Sequence, residues 1–230
     1  MEHYYQNIPG GMFNYPLLYK HIVQQAVPNS RFVEVGCAYG KSSSYFGVEI
    51  INANKGSHLY CVDVWDKYDS SVFLKNIEPV KNVITSIKKD SVIASKDFDD
   101  DTLDFVYIDA DHSYGGVTAD CESWLPKLKN KSIMAGHDIN RESVRRALVD
   151  TLLPFYSISV VYPCWIIHKH IPSTEKNRKK ITELFLDNDR FTSVYKPEDI
   201  LEINSEMLVK MTLLKPELVE RIKLSLCNFY

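Results

Sequence analysis

Apolar residues fall along this chain in short, almost unbroken runs, each stopped by a small or acidic residue. RFVEV (31–35), HLYCVDV (58–64), NVITSI (82–87), LDFVYIDA (103–110) and SIMAGHD (132–138) read as five strands. Their near-continuous apolar texture, without polar alternation, predicts parallel strands covered on both faces. Helical spacing fills the gaps. YPLLYKHIVQQAV (15–27) carries a stripe through Leu17, Leu18, His21, Ile22 and Gln25, ended by Pro28 and Asn29. Residues from about 41 to 53 continue as a helix that closes near Lys55–Gly56. Val117, Cys121, Trp124, Leu125 and Leu128 repeat with helical period. Residues 141–153 form another such segment. YSISVV and CWIIHKH read as a closing antiparallel pair around Tyr162–Pro163.

Beyond Ile171 the texture changes. STEKNRKKITELFLDN and KPELVERIKLSL suggest two surface helices, the first capped by Ser173 or Thr174. The expected organisation is a helical lead (1–29), a doubly wound α/β domain (30–172) and a helical C-terminal extension (173–230). That extension has three readings: packing on the sheet, covering a pocket, or joining copies into a homo-oligomer.

At 230 residues the chain is long enough for one substantial core. Apolar residues make up 45% and charged residues 25%, and the net charge of -3 gives no general attraction to nucleic acid or anionic membranes. No run approaches the roughly 18 apolar residues of a membrane span. The start, MEHYYQNIPGG, lacks a basic and apolar leader, so a cytoplasmic protein is expected. Five cysteines at 37, 61, 121, 164 and 227 contain no C-x-x-C pair, which favours buried thiols in a reducing compartment.

The first strand runs into Gly36-Cys37-Ala38-Tyr39-Gly40-Lys41-Ser42. A phosphate-binding loop needs four residues between its glycines, and this stretch has one fewer. Asp109 could imitate the Mg²⁺ carboxylate of such a site, so a triphosphate remains a minor reading. The dinucleotide fingerprint fails at Ala38 and Lys41. What remains is a strand, a small-residue turn and a helix, with an acidic residue, Asp63, at the end of the next strand. A carboxylate there can accept both hydroxyls of a ribose. The helix start at Lys41 and Ser42 offers backbone donors to an anionic group.

FVEVGCAYGKSS, YCVDVWD, KDS and LDFVYIDADHSYGGVTADCESWLPKLKNKSIMAGHD together resemble the class I S-adenosylmethionine-dependent methyltransferases over residues 30–140. The texture is similar to the small-molecule O-methyltransferase group that includes macrocin-type sugar methyltransferases and cephalosporin-hydroxylase-like proteins. The resemblance implies a Rossmann-like, seven-stranded, mostly parallel sheet and S-adenosyl-L-methionine as cofactor. It implies that Glu34, Gly36 and Gly40 line the methionine part, with Ser42 at the helix start. Asp63 would take the ribose hydroxyls, Trp65 would flank the nucleoside, and Asp90 with Ser91 would meet adenine. Each has a plainer reading: Glu34 as an ion-pair or turn residue, Asp63 and Asp90 as loop carboxylates, Trp65 as core.

IDADH (108–112) and GHD (136–138) put polar groups at two strand ends. Asp109, His137 and Asp138 offer oxygen, nitrogen and oxygen to Mg²⁺ or another divalent cation. Metal-dependent members of the resembled group use matching positions, often with acids or amides where this chain has His137. The alternative is that His137 bonds to backbone and Asp138 caps the helix starting near Asn140. A cation would lower the pKa of an acceptor hydroxyl. Asp109 or His112 would then remove the proton. Tyr4, Tyr5, Phe13 and Tyr114 are candidates for shaping the acceptor pocket.

The expected function is methyl transfer from S-adenosylmethionine to a hydroxyl of a small molecule, a sugar among the candidates, with a divalent cation assisting. Neither nucleic acid nor membrane is an expected partner. The rivals are a metal-independent or N-directed methyltransferase and a non-catalytic cofactor-binding or assembly protein.

Overall fold

A computed structural model describes residues 1–10 and 12–195. Seven strands form one sheet: β1 (Arg31–Val35), β2 (His58–Asp63), β3 (Ile84–Lys88), β4 (Leu103–Ile108), β5 (Leu128–Gly136), β6 (Tyr156–Val161) and β7 (Cys164–Pro172). Their order is β3-β2-β1-β4-β5-β7-β6. The pairings from β3 across to β5 are parallel, and β7 runs antiparallel to both β5 and β6. This is the Rossmann-like, seven-stranded sheet that the resemblance implies, and it includes the closing pair, joined across a cis Tyr162–Pro163 bond.

Helices α1 (Pro16–Gln25), α2 (Lys41–Ala53), α3 (Ser70–Ile77), α4 (Ser91–Ser95), α5 (Tyr114–Trp124), α6 (Glu142–Thr151), α7 (Glu175–Leu186) and α8 (Asn188–Val194) accompany the sheet, with short 3-10 helices at Tyr5–Asn7, Glu78–Val83 and Leu125–Lys127. Apolar strands are buried on both sides because helices cover both faces. Phe32, Val33, Phe105, Val106, Tyr107, Met134 and Ala135 are all essentially inaccessible. Tyr19 of α1 and Phe46 of α2 pack their rings 4.3 Å apart over this layer.

Sequence order reverses at β1, which has β2 on one side and β4 on the other. In open α/β sheets the place beyond the carboxyl ends at such a reversal is where ligands are bound, because the connections leave in opposite directions. The turn after β1, Asp63 at the end of β2 and Asp109 just past β4 all meet at this edge.

Several elements differ from expectation. β5 begins at Leu128, four residues before the expected start, and leaves His137 and Asp138 beyond its end. Its polar Lys129-Asn130-Lys131 segment masks the strand, and its register against β4 shifts between Leu103 and Phe105. Helices α3 and α4 are too short to give a readable period; Asp69 and Asp90 cap them through their side chains. Thr174, not Ser173, caps α7. The second C-terminal helix expected at 215–226 and Cys227 lie outside the described residues. Cys37, Cys61, Cys121 and Cys164 are buried and unpaired. Among the described residues no helix is long and apolar enough to cross a membrane.

Candidate active site

The turn after β1 is built for close approach. Gly36 has φ +87, and a Cβ there would overlap the backbone carbonyl of Asp109. Only glycine lets the β1 turn lie against the end of β4. Gly40 (φ +82) is the N-cap of α2, in a left-handed conformation that strains any other residue, and a Cβ there would press on Phe73 and Ile77 of α3 at 3.0–3.2 Å. Ala38 also has positive φ, at +45.

Glu34 sits beneath this turn and is completely buried. It accepts a hydrogen bond from the Tyr19 hydroxyl (2.8 Å) and a short one from Ser43. Ser42 also hydrogen-bonds to it. Burial pushes its carboxyl pKa up, against the three hydroxyls, which favour the charged form. Glu34 therefore joins α1, β1 and α2 from within. Neither it nor Ser42 presents its polar group at the open edge through these contacts.

Asp63 stands at the expected strand end and organises the turn. Its Oδ2 accepts from the amides of Cys37 (2.8 Å) and Ala38 (2.9 Å), and its Oδ1 from the amide of Trp65 (2.8 Å). A carboxylate has about four acceptor positions, so about one remains for a ribose hydroxyl. Trp65 is buried against Phe73, with its indole N–H on the Ala38 carbonyl at 2.9 Å. It locks the turn from behind, the core-aromatic role. Asp90 caps α4, accepting from the Ile93 amide at 3.0 Å. Ser91 accepts from the Trp124 indole at 2.8 Å and bonds to Asp120.

These residues meet a nucleoside cofactor only in part. The backbone donors, the glycine turn and two carboxylates are in place, yet most are already engaged within the protein. Val64, beside Asp63, and Ile93, three residues after Asp90, are 42% and 55% exposed.

The second cluster is tighter. Ligand atoms of Asp109, His137 and Asp138 all lie within 4.8 Å of one another. His112, two residues past the strand-end loop's Ala110, brings its Nε2 to 3.2 Å from Asp109 Oδ1 and 2.8 Å from Asp138 Oδ2. Its hydrogen bonds to these carboxylates outweigh burial and raise the His112 pKa to about 9. Asp138 moves down: burial opposes its charge, but hydrogen bonds from His112 and His137 and their positive charge prevail. The imidazolium of His112 thus bridges the two carboxylates. A divalent cation fits the donor set of Asp109, His137 and Asp138, but it would compete with that imidazolium for the same oxygens.

Four participants have no signal in the sequence. The Tyr15 hydroxyl points to Asp109 Oδ2 at 3.4 Å, Asn14 Oδ1 lies 3.3 Å from His137 Nε2, and Arg141 Nε is 3.3 Å from Asp138 Oδ1. The Ser143 hydroxyl donates to the His112 carbonyl at 2.6 Å. Tyr15 reaches across 94 residues, a distance no local pattern encodes. Asp138 does not cap α6 with its side chain; Arg141 holds the N-cap position. Tyr5 and Phe13 pack edge-to-face at 5.3 Å, and Phe13 meets Tyr15 at 4.9 Å, so these rings reach the cluster through Tyr15. Tyr4 is directed instead to the Asn76 carbonyl (3.1 Å). Beside the cluster lies a cleft of about 650 Å³ lined by Tyr114, Glu142, Ser143, Arg146 and Asp150.

The order of the strands and the two sites at one sheet edge can be set beside known proteins. Residues 33–139 match a methyltransferase-domain family. That span holds the glycine turn, Asp63, the Asp90–Ser91 pair and the whole Asp109–Asp138 cluster. Three solved structures share the fold. An O-methyltransferase from Bacillus cereus, in complex with SAH, is 17% identical with a TM-score of 0.56, covering 71% of this chain and 86% of its own. A SAM-dependent O-methyltransferase from Thermotoga maritima is 12% identical with a TM-score of 0.52, covering 70% and 66%. TrmN from Thermus thermophilus is 16% identical with a TM-score of 0.52, covering 67% and 48%. At such identities the likeness is one of fold. An uncharacterized protein of Sinorhizobium fredii, y4gI, is 26% identical over 117 residues, 47% of this chain. The match spans only 13% of that relative's length.

Proposed function

We propose that this methyltransferase domain moves a methyl group from S-adenosylmethionine to a hydroxyl of a small molecule. The observation that carries the reading is the convergence of Asp109, His112, His137 and Asp138 at the sheet edge that also holds the glycine turn and Asp63. The methyltransferase-domain match over the same residues supports it.

When bound, S-adenosylmethionine supplies an electrophilic methyl group on a sulfonium. The chain's task is to align an acceptor oxygen with that methyl and to take its proton. Asp109 is the group to take it. His112, charged at neutral pH, has no free site for a proton and serves to orient the Asp109 and Asp138 carboxylates. A divalent cation held by Asp109, His137 and Asp138 would take the place of the His112 imidazolium on the two carboxylates and would supply positive charge that lowers the hydroxyl pKa. The cleft beside the cluster gives the acceptor its approach. Its exposed Tyr114 ring, with carboxylates, a guanidinium and a hydroxyl, suits a hydroxylated molecule such as a sugar, in keeping with the resemblance to macrocin-type enzymes.

Turnover over a panel of hydroxylated acceptors, with and without EDTA, tests the reading. Asp109→Asn should lower kcat by about a hundredfold, within the range for loss of a general base. EDTA should suppress turnover, and added Mg²⁺ should restore it. Full activity in EDTA would remove the cation from the mechanism. Full activity of Asp109→Asn would remove Asp109 as proton acceptor.

A further inference from the structure

The guanidinium of Arg145 is completely buried in α6, and among the described residues no carboxylate lies within 4.0 Å of it. Among the described residues its hydrogen-bond partners are all neutral. Nε donates to the Phe185 carbonyl at 2.9 Å, Nη1 to the Ile139 and Asn140 carbonyls at 3.1 and 2.7 Å, and Nη2 to Asn188 Oδ1 at 2.8 Å. The charge also stands 4.2 Å over the Phe191 ring. Glu142 supplies only a more distant attraction, and burying an arginine without a carboxylate in contact is costly. The identity of its partners suggests what the charge does there.

Phe185 lies in the last turn of α7, where carbonyls lack helical partners and a cation is favourable. Asn188 opens α8. Ile139 and Asn140 immediately follow Asp138. Asp138 has φ +56, a left-handed conformation that costs a non-glycine residue about 1–3 kcal/mol unless its surroundings impose it. The Asp138 loop is fixed on its amino side by the His137 amide on the Ile108 carbonyl (3.1 Å). On its carboxyl side Arg145 holds the Ile139 and Asn140 carbonyls, alongside the Ile139 amide on the Pro163 carbonyl (3.2 Å) and the Arg141 amide on the Asp138 carbonyl (2.9 Å).

We propose that Arg145 is a positioning residue: it clamps the loop after β5 to the junction of α7 and α8, and so holds the Asp138 carboxylate against His112. A planar fork with several donors can take carbonyls from three segments at once, whereas a lysine ammonium cannot reproduce that geometry. The helices after β7 thereby become part of the active centre's support although none of their side chains enters it. This inference rests on the methyl-transfer reading only for its kinetic consequence; the clamp itself can be measured without turnover.

Two variants test it. Arg145→Lys keeps the charge and loses the fork. Asn188→Ala removes one partner at an exposed position, so folding should be preserved. Hydrogen exchange is followed by peptide in both, alongside calorimetry with S-adenosylhomocysteine. Amides of residues 137–143 should exchange about tenfold faster than in the unaltered protein, equivalent to about 1.4 kcal/mol of local opening. Peptides covering β1 and β2, and affinity for S-adenosylhomocysteine, should be unchanged. kcat should fall with KM for the cofactor retained. Uniformly faster exchange across all peptides, or unchanged exchange at 137–143, would overturn the clamp. If the unaltered protein neither binds the product nor turns over while residues 137–143 still loosen selectively, the clamp stands and the methyl-transfer reading fails.

Discussion

His112 shows how one residue's environment decides its chemistry. As an isolated imidazole it would titrate at about 6.5 and could serve as a base. Between Asp109 and Asp138 its pKa rises to about 9, so near neutrality it is a fixed cation. The folded value lies above the unfolded one. Its stabilising contribution is therefore fully present below about pH 6.5 and is lost as pH rises through about 9. Thermal denaturation of the protein and of His112→Asn from about pH 6 to about pH 10 should show the gap between them closing in that window. A gap that stays constant to the alkaline end would contradict the bridged imidazolium. Reading the histidine as a candidate base was open to the sequence. Its contact with Asp138 was not, because Asp138 reaches it only through the left-handed turn after β5.

At the scale of elements, Glu34 ties a helix before the sheet and a helix after it to the first strand. Tyr19 and Ser43 both donate to its buried carboxylate. Removing it as Glu34→Ala leaves those hydroxyls buried without an acceptor, and should destabilise the fold by about 2–4 kcal/mol in urea unfolding. Combined with Tyr19→Phe the loss should be less than additive, since the same bond is removed twice. Strict additivity would mean the two do not act together. Strands β1, β2 and β4 were legible because buried parallel strands are apolar throughout. α3 and α4 were not, since eight- and five-residue helices show too little of a period. The start of β5 was hidden by Lys129-Asn130-Lys131 in the strand's exposed part.

For the whole molecule, the reversal of strand order at β1 brings two chemistries to one edge: a glycine turn held by Asp63, and the acidic cluster around Asp109. Sequence motifs located both, because each sits at the end of a recognisable strand. What they could not convey was occupancy. Asp63 already serves three backbone amides, Ser91 serves Trp124 and Asp120, and Trp65 is folded into the core. The most direct test is calorimetric titration with S-adenosylhomocysteine of the unaltered protein, Asp63→Asn and Asp109→Asn. One molecule should bind per chain, Asp63→Asn should weaken binding about tenfold or more, and Asp109→Asn should leave it nearly intact. No binding to the unaltered protein, or loss with Asp109→Asn but not with Asp63→Asn, would contradict the account.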